Sequence, residues 1–517
     1  MKEIHIPVEV NKVLRVLRKA NYEAYLVGGC VRDILLNREP KDFDITTNAK
    51  PDEIQKLFPD SVYENEFGTV GVKIEQIDKD NNITKQIVEV TTFRKEGKYT
   101  DKRHPDSITF TKRIEDDLGR RDFSINAMAL GWGDLVTKTS NKELIIDGTS
   151  SENETKIALK NLELIDPFGG EKDLKNKLIR AVGKPEERFT EDALRMMRAV
   201  RLASELNFKI EGETGAAILH HAGLLEVIAK ERIRDEFQKI IISNGAKDGV
   251  QTLEDFGLLK YVISELREGI GVGQNKHHIF TVWEHNLKAL DYAVSKDYPF
   301  HIRLASLLHD VGKPRSKHGE GPNSTFYGHD VIGGKMTVKI LDRLHFSKDL
   351  IERVAHLVRF HLFYYNVGEV TPAGVRRFLA RVGPENIPDL IKVREADRIG
   401  SGVPKAVPYK LRHLLFMIEK VKRDPISPKM LVVKGDDIMK ILNISPSPKI
   451  GAILSILLEE VIEDPKKNIK KYLEERTIEL GKLENTKLQD FAKKAKGTKD
   501  EFESNEEKKI KKQYYVK

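Results

Sequence analysis

Apolar positions follow two different periods along this chain, and the change between them divides it. Across residues 1–150 the period switches repeatedly. Asn11–Ala20 carries apolar residues at helical spacing, whereas Gly68–Glu75, Gln86–Arg94 and Ser107–Thr111 alternate as half-buried strands do. Ala24–Val27 is a short apolar strand, and a second strand opens around Lys41–Ile45. Asp122–Leu130 reads as a helix. Further on the strand signal nearly vanishes. Glu191–Leu206, Thr214–Leu225, Lys230–Ile242, Thr281–Val294, Arg303–His309, Gly333–Leu344, Lys348–Phe360, Ala373–Val382 and Ile450–Val461 all carry helical spacing. The pattern predicts an α/β head on a mixed or antiparallel sheet, followed by a mostly α-helical remainder. Glycine and polar clusters at Gly269–Asn275 and Gly400–Pro408 mark boundaries. Asp78–Asn82 reads as a hairpin turn, and Thr137–Asn161 as a polar insertion at the edge of the head.

The first chemistry lies where the strand Ala24–Val27 runs into Gly28-Gly29-Cys30-Val31-Arg32-Asp33, followed by Lys41-Asp42-Phe43-Asp44-Ile45. Side chains alternate along a strand, so Asp42 and Asp44 share a face and Phe43 points into the core. Two carboxylates on one face repel unless a divalent cation lies between them. Mg²⁺ suits that place, because it takes one or two carboxylates and fills its other positions with water and phosphate oxygens. Gly29 and its neighbour let backbone approach a phosphate, the following helix N-terminus favours negative charge, and Arg32 adds a forked cation. Together these residues read as a site for a metal-bound nucleoside triphosphate.

Composition narrows the setting. The 517 residues are too many for one core, 32% are charged, and the net charge of +8 suits a protein that handles phosphates or RNA. Part of the excess sits in a Lys-rich end, Lys493 to Lys512, which reads as a solvated tail. The single cysteine, Cys30, excludes an internal disulfide and a thiolate cluster within one chain. Residues 1–7 lack the apolar core of a signal peptide and no run reaches membrane-spanning length, so a cytoplasmic protein with no membrane partner is expected.

Two later segments add to the triphosphate site. Arg120-Arg121-Asp122-Phe123-Ser124-Ile125-Asn126-Ala127-Met128-Ala129 brings two cations downstream of it, with Asp122 placed to cap a helix. In Arg188-Phe189-Thr190-Glu191-Asp192-Ala193-Leu194-Arg195-Met196-Met197-Arg198-Ala199-Val200-Arg201, Thr190 is the expected cap and Asp192 and Arg195 are neighbours at i,i+3. Arg198 and Arg201 continue the stripe, drifting about 60° per step. On a solvated helix such a pair is a salt bridge. Facing a base, an acceptor-only Asp beside a donor-only Arg matches an exocyclic amine next to a ring nitrogen, the edge shared by cytosine and adenine. Guanine and uracil present a carbonyl and a ring N–H there, which strands both groups, a strong basis for rejection.

The wording GGCVRD…KDFDI resembles the head of the nucleotidyltransferase superfamily, in its tRNA nucleotidyltransferase and bacterial poly(A) polymerase branch. The second segment is similar to that family's RRDFTINAMA stretch. EDALRMMRAVR resembles the EDxxRxxRxxR helix of class II tRNA nucleotidyltransferases, the CCA-adding enzymes, and Glu231-Arg232-Ile233-Arg234-Asp235-Glu236-Phe237 resembles their neck motif. The resemblance covers residues 20–245. It implies that Gly29, Arg32 and Arg121 hold the triphosphate, with Arg121 counted among the catalytic residues alongside Asp42 and Asp44, which hold the metal. Asp192, Arg195, Arg198 and Arg201 then take the base and ribose side. Arg94–Pro105, a charged loop as bare sequence, resembles the flexible loop of enzymes that add the terminal A, which argues against CC-only addition.

The second half holds His285, Leu307-Leu308-His309-Asp310-Val311-Gly312-Lys313, His329, His356, His361 and Asp397. Imidazoles with carboxylates suit Mn, Fe, Ni, Co or Zn. The HDxGK stretch resembles the HD phosphohydrolase superfamily. That match implies a ligand set of His285, His309, Asp310 and Asp397, with His329 and His361 for a second metal, and either a phosphohydrolase or a wall for RNA. His277, His278 and His301 read as ordinary surface or core residues.

The expected layout is a nucleotidyltransferase head at 1–150, a helical neck and RNA-binding region at 151–268, an HD domain at 269–405 and a helical tail at 406–517. The expected activity is template-free addition or repair of the 3′-CCA of tRNA from CTP and ATP. A-only addition and bacterial poly(A) polymerase are its enzymatic rivals, and a silent RNA-binding protein is the rival from another class.

Overall fold

Ala24–Val27 lies inside a seven-stranded sheet because its neighbours on both sides have hydrogen-bonding edges to offer. The computed structural model describes residues 3–63, 67–77, 83–97, 99, 105–132, 154–158, 162–275, 279–421, 428–484 and 488. It divides into two compact units, Met1–Arg267 and Glu268–Lys517.

In the first unit the strands run in the order Leu162–Ile165, Ala129–Trp132, Ala24–Val27, Asp44–Thr47, Ile83–Thr92, Thr69–Ile77 and Ser61–Tyr63. Only the Asp44–Thr47 and Ile83–Thr92 pair is parallel, so the sheet is mixed, as the pattern predicted. Alternation sets its faces. Val70 opposes Val90 and Val72 opposes Val88, all four buried, while Ile87 and Glu89 between them are exposed. Each buried valine contributes roughly 1.5–3 kcal/mol. Helix Val8–Lys19 packs against these strands through Val10, Val13, Leu14 and Leu17, the i, i+3, i+4, i+7 face of an amphipathic helix.

Three sequence expectations in this unit fail. Asp122–Leu130 is not a helix: it is a short 3₁₀ turn, Ser124–Asn126, leading into the strand Ala129–Trp132. Residues 122–130 are buried throughout, so no amphipathic period could distinguish helix from strand, and the edges of Ala24–Val27 and Leu162–Ile165 capture the backbone. Consequently Asp122 caps no helix. Glu191–Leu206 is not continuous either. One helix spans Pro185–Glu191 and the next Leu194–Leu206, with Asp192 extended between them at φ −139°, ψ 104°. Thr190 is no cap: its hydroxyl donates to the carbonyls of Glu186 and Glu187. Asp192, one residue before the N-cap position Ala193, accepts the Leu194 N–H at 3.0 Å, a local side-chain bond that competes with helix continuation. Finally, the second motif strand starts at Asp44, so Asp42 precedes it and Phe43 is half-buried rather than in the core.

The second unit is helical. Val282–Ser295, Phe300–Leu308, His329–Arg343, Lys348–Phe360 and Ile387–Gly400 bury His285, His309, His329 and His361 among them, and a small separate core forms around Ile438, Ile453, Leu457 and Leu473. The helix Ile387–Gly400 escaped the pattern reading because Asp389, Lys392, Arg394, Glu395, Asp397 and Arg398 crowd its apolar positions. Among the described residues no helix is long and apolar enough to cross a membrane. The turn Asp78–Asn82, His277, His278, most of Thr137–Asn161, Lys98 and Thr100–His104 of the charged loop, and the Lys-rich end lie outside the described residues. Within the polar insertion, Glu154–Ala158 pairs with the strand Glu3–Pro7.

Candidate functional site

Gly28 is where the head site begins. It ends the strand Ala24–Val27 and precedes the helix Gly29–Leu35 at φ +82°, a conformation open to glycine alone at low cost. A Cβ on it would lie 2.9 Å from Arg121 Nη1 and 3.4 Å from Asp44 Oδ2. The guanidinium and the carboxylate therefore lie over bare backbone. Gly29 has ordinary backbone angles and no such crowding. Sheet pairing of Val27 with Asp44 sets this arrangement.

Asp44 is open to solvent at the start of its strand, yet the protein around it and the charge of Asp42 push its pKa up, with Arg121 opposing. Arg121 approaches Asp117 at 3.7 Å, and its Nε is buried with no hydrogen-bond partner among the described residues. The Asp44 carboxylate and the Arg121 guanidinium over a cradle that a Cβ would fill, with the charge of Asp42 bearing on Asp44, form a donor set that fits a divalent cation with a phosphate group. Arg32 is more constrained than expected. Its Nε and Nη2 hold Asp33 at 2.9 and 3.0 Å, and Nη1 donates to Asn126 at 2.9 Å. Arg120 is a buttress, held by Asp117 at 2.9 Å and Glu96 at 3.1 Å.

Asp122 connects this site to the second segment. Its Oδ2 accepts from Arg198 at 2.6 and 2.7 Å, and its Oδ1 from the Phe123 N–H at 2.9 Å. Burial raises the carboxyl, but Arg198 and Arg195, with hydrogen bonds from Arg198 and Asn126, hold it down to about 2. The expected i,i+3 pair does not form, because Asp192 stands outside the helix. Arg232 grips the Asp192 carboxylate at 2.7 and 3.2 Å, while Arg195 donates to Glu191 at 3.0 Å. Arg201 is bound by Glu236 at 2.6 Å and Glu205 at 3.1 Å. Sequence reading assigned no role to Arg232 or Glu236. Their i,i+4 spacing on the helix Lys230–Ile242, with opposite charges facing an Asp and an Arg, was the available signal.

In the second unit five elements converge. His285 lies on a helix started by the Thr281–Glu284 capping box, His309 ends one helix, His329 begins another, His361 ends a third and Asp397 sits on the fifth. His309, His329 and His361 each place Nδ1 2.7–2.8 Å from the carbonyl three residues back. A carbonyl only accepts, so Nδ1 carries hydrogen and Nε2 faces inward. The Asp310 carboxylate looks both ways. Oδ2 is 3.1 and 3.3 Å from Nε2 of His285 and His309, and Oδ1 is 3.4 and 3.5 Å from Nε2 of His329 and His361. Asp397 Oδ1 is 3.3 Å from His285. Metal bonds of about 2.1 Å place neighbouring donors roughly 3.0–3.4 Å apart, so the set fits two ions. The groups His285–His309–Asp397 and Asp310–His329–His361 each gather within 4.8 Å.

Gly312 permits this: a Cβ there would be 2.3 Å from the His329 carbonyl. Burial lowers the His309 imidazolium, but Asp310 and Asp397 raise it to about 10. Burial also lowers His329, to about 4, with Lys313 and His361 adding to it against Asp310. His356 belongs elsewhere, bonded to the Val382 carbonyl at 2.7 Å, and His301 pairs with Asp389 at 2.9 Å. Lys313, missed as a partner, reaches Asp310 at 2.5 Å.

Family profiles match three stretches of the chain. The "Poly A polymerase head domain" matches residues 24–180, the "Probable RNA and SrmB- binding site of polymerase A" matches 207–269, and the "HD domain" matches 277–401. The CCA-adding enzyme of Levilactobacillus brevis is 44% identical over 261 residues, which is 50% of this chain and 56% of that enzyme. The chain thus matches little more than half the length of that relative. The A-adding tRNA nucleotidyltransferase of Deinococcus radiodurans is 33% identical over 367 residues, 68% of this chain and 76% of that protein. The crystal structure of the Bacillus stearothermophilus CCA-adding enzyme in complex with CTP superposes with a TM-score of 0.62 at 25% identity, covering 91% of this chain and 96% of that one. With the mixed-sheet head, the cradle over Gly28 and a histidine-lined helical domain in one sequence, the chain belongs to the family of bacterial poly(A) polymerases and tRNA nucleotidyltransferases.

Proposed function

We propose that this protein is a cytoplasmic tRNA nucleotidyltransferase that adds or repairs the 3′-terminal CCA from CTP and ATP without a nucleic-acid template. The observation that carries this reading is that one unit holds both parts. Asp44 and Arg121 gather at the Gly28 cradle, the charge of Asp42 bears on Asp44, and Asp122 ties that side through Arg198 to the segment bearing Asp192 and Arg195. In the reaction the tRNA 3′-oxygen bonds to the α-phosphorus and pyrophosphate leaves. Asp42 and Asp44 would hold Mg²⁺, which supplies Lewis-acid charge for the 3′-hydroxyl and the triphosphate. Arg121, whose Nη1 lies over Gly28, would donate to the phosphates, assisted by Arg32 and the backbone from Gly28 to Gly29. Asp192 and Arg195 read the base, with Arg198 and Arg201 on the ribose side. The helical body binds tRNA by shape and backbone charge.

The second unit we read as a transition-metal centre. Mn, Ni, Co, Fe or Zn would be held by His285, His309, Asp310 and Asp397, with His329 and His361 completing a second position, in a phosphohydrolase that clears phosphate-blocked ends. The division at 1–150, 151–268, 269–405 and 406–517 serves as our working layout.

The test is incubation of tRNA ending at the discriminator base with CTP, ATP, and both. The expected products are two added cytidines with CTP alone and CCA with both, and Asp44→Ala should make neither. The relative from Deinococcus radiodurans favours one alternative, A-only addition, which would give product only on tRNA already ending in CC. Long adenosine tracts would indicate a poly(A) polymerase, and no addition to any tRNA would overturn the reading.

A further inference from the structure

The four lone-pair sites of the Asp192 carboxylate are unequally taken. Oδ1 accepts both the Leu194 N–H at 3.0 Å and Arg232 Nη1 at 3.2 Å, and Oδ2 accepts Arg232 Nη2 at 2.7 Å. An ionised carboxylate has about four acceptor positions, so one remains, on Oδ2. We propose that Arg232 is a specificity-setting positioning residue: its bidentate grip leaves Asp192 a single acceptor at a fixed place, and that place decides which bases are taken. The proposal rests on the base-reading role of Asp192 given above.

The charge of Asp192 alone cannot reject uracil or guanine. Both carry a ring N–H that a carboxylate can accept and a carbonyl that a guanidinium can donate to. If Asp192 and Arg195 could exchange places along the base edge, the pair would read uracil and guanine as well as cytosine and adenine. Discrimination therefore requires that neither side chain shift by one ring position. Arg195 is buried and held by Glu191 at 3.0 Å, with Nη2 on the Arg120 carbonyl at 3.4 Å. The Asp192 backbone is tied to both flanking helices, its N–H to the Arg188 carbonyl at 3.3 Å and its carbonyl to the Arg195 N–H at 3.0 Å. Of its carboxylate only Oδ1 is held locally, by the Leu194 N–H, so the Arg232 fork supplies the remaining constraint on the carboxylate plane. A planar fork fixes the carboxylate plane, which an ammonium cannot do.

The helix that carries Arg232 is itself anchored. One turn on, buried Glu236 binds Arg201 at 2.6 Å, so Lys230–Ile242 braces the segment from Asp192 to Arg201 at both ends. With Arg232 shortened, Oδ2 gains an acceptor site and Asp192 can turn toward the ring position.

The experiment uses the full chain and single-turnover incorporation of CTP, UTP, ATP and GTP, for wild type, Arg232→Gln, Arg232→Lys and Asp192→Ala. Arg232→Gln should raise the UTP-to-CTP and GTP-to-ATP ratios by about tenfold or more. Arg232→Lys, which keeps charge without the fork, should also lose selectivity, and its thermal midpoint identifies any folding defect. Loss of selectivity in Asp192→Ala alone, with both Arg232 variants selective, overturns the proposal and leaves base reading by Asp192 intact. Equal slowing of all four nucleotides in the Arg232 variants, with ratios unchanged, also overturns it, because a merely structural brace behaves so. Retained selectivity in Asp192→Ala removes the base-reading role and the proposal together.

Discussion

Replacing Asp122 with Asn tests the joint between the phosphate side and the base side of the head. The substitution keeps the shape of the side chain and leaves Oδ1 able to accept the Phe123 N–H. It removes the charge opposite Arg198 and turns an NH₂ toward that guanidinium, so two donors meet where a carboxylate oxygen accepted bonds of 2.6 and 2.7 Å. A carboxyl held at about 2 against an ordinary 3.8 corresponds to roughly 2.5 kcal/mol at neutral pH. Leaving a buried partner unpaired costs about 3–5 kcal/mol. Arg198, however, is 35% exposed and regains water, which places the expected loss at about 2–3 kcal/mol.

At about 2.1 cal/mol/K of unfolding entropy per residue, a unit spanning Met1–Arg267 should then melt about 4–5 °C lower. Calorimetry of the full chain, resolving the two units, reads this. The folded pKa is depressed, so the stabilisation is complete above about 3.8 and disappears as pH falls through about 2. The gap between wild type and Asp122→Asn should be constant from pH 7 to 5 and narrow only as acid approaches pH 4 and below. A variant melting within about 1 °C of wild type at pH 7, or a gap that closes between pH 7 and 5, would refute the reasoning.

Gly28→Ala forces a side chain into a φ of +82° and within 2.9 Å of Arg121, so nucleotide addition should fall about a hundredfold while tRNA binding persists; gel-shift and incorporation assays separate the two. Cys30 is buried, its Sγ sits 3.3 Å from the Val27 carbonyl, and burial pushes the thiol up to about 11, so Ellman's reagent at pH 8 should find no reactive thiol until denaturant is added. Rapid labelling of the native chain would contradict that burial. The double variant His309→Ala, Asp310→Ala should lose tightly bound Mn, Ni or Co by elemental analysis yet keep CCA addition, and a wild-type protein that takes up none of these ions would remove the proposed centre.

Much of the candidate chemistry was legible in the sequence because it is written in short spacings. Asp42 precedes the strand that carries Asp44, so strand period alone did not orient that pair. The diglycine after an apolar strand and HDVGK, by contrast, each place chemically distinctive groups within one or two elements. The mixed sheet followed by helices was legible for the same reason, since alternation in Thr69–Ile77 and Ile83–Thr92 reports which face is buried. Local periods fail where burial is uniform or where partners are distant. Residues 122–130, buried on every side, carry no period, and only the waiting edges of two strands made their end a strand. The apolar spacing from Phe189 to Leu206 runs unbroken through Asp192, yet a side-chain bond to Leu194 and an arginine forty positions away hold that residue out of the helix. Asp310 was legible as a candidate ligand, but its place between two pairs of histidines follows from helix ends that meet only in three dimensions. Sequence determined which charged groups this protein owns; tertiary packing decided which of them face one another, because ion-pair partners are chosen by distance across helices rather than by order along the chain.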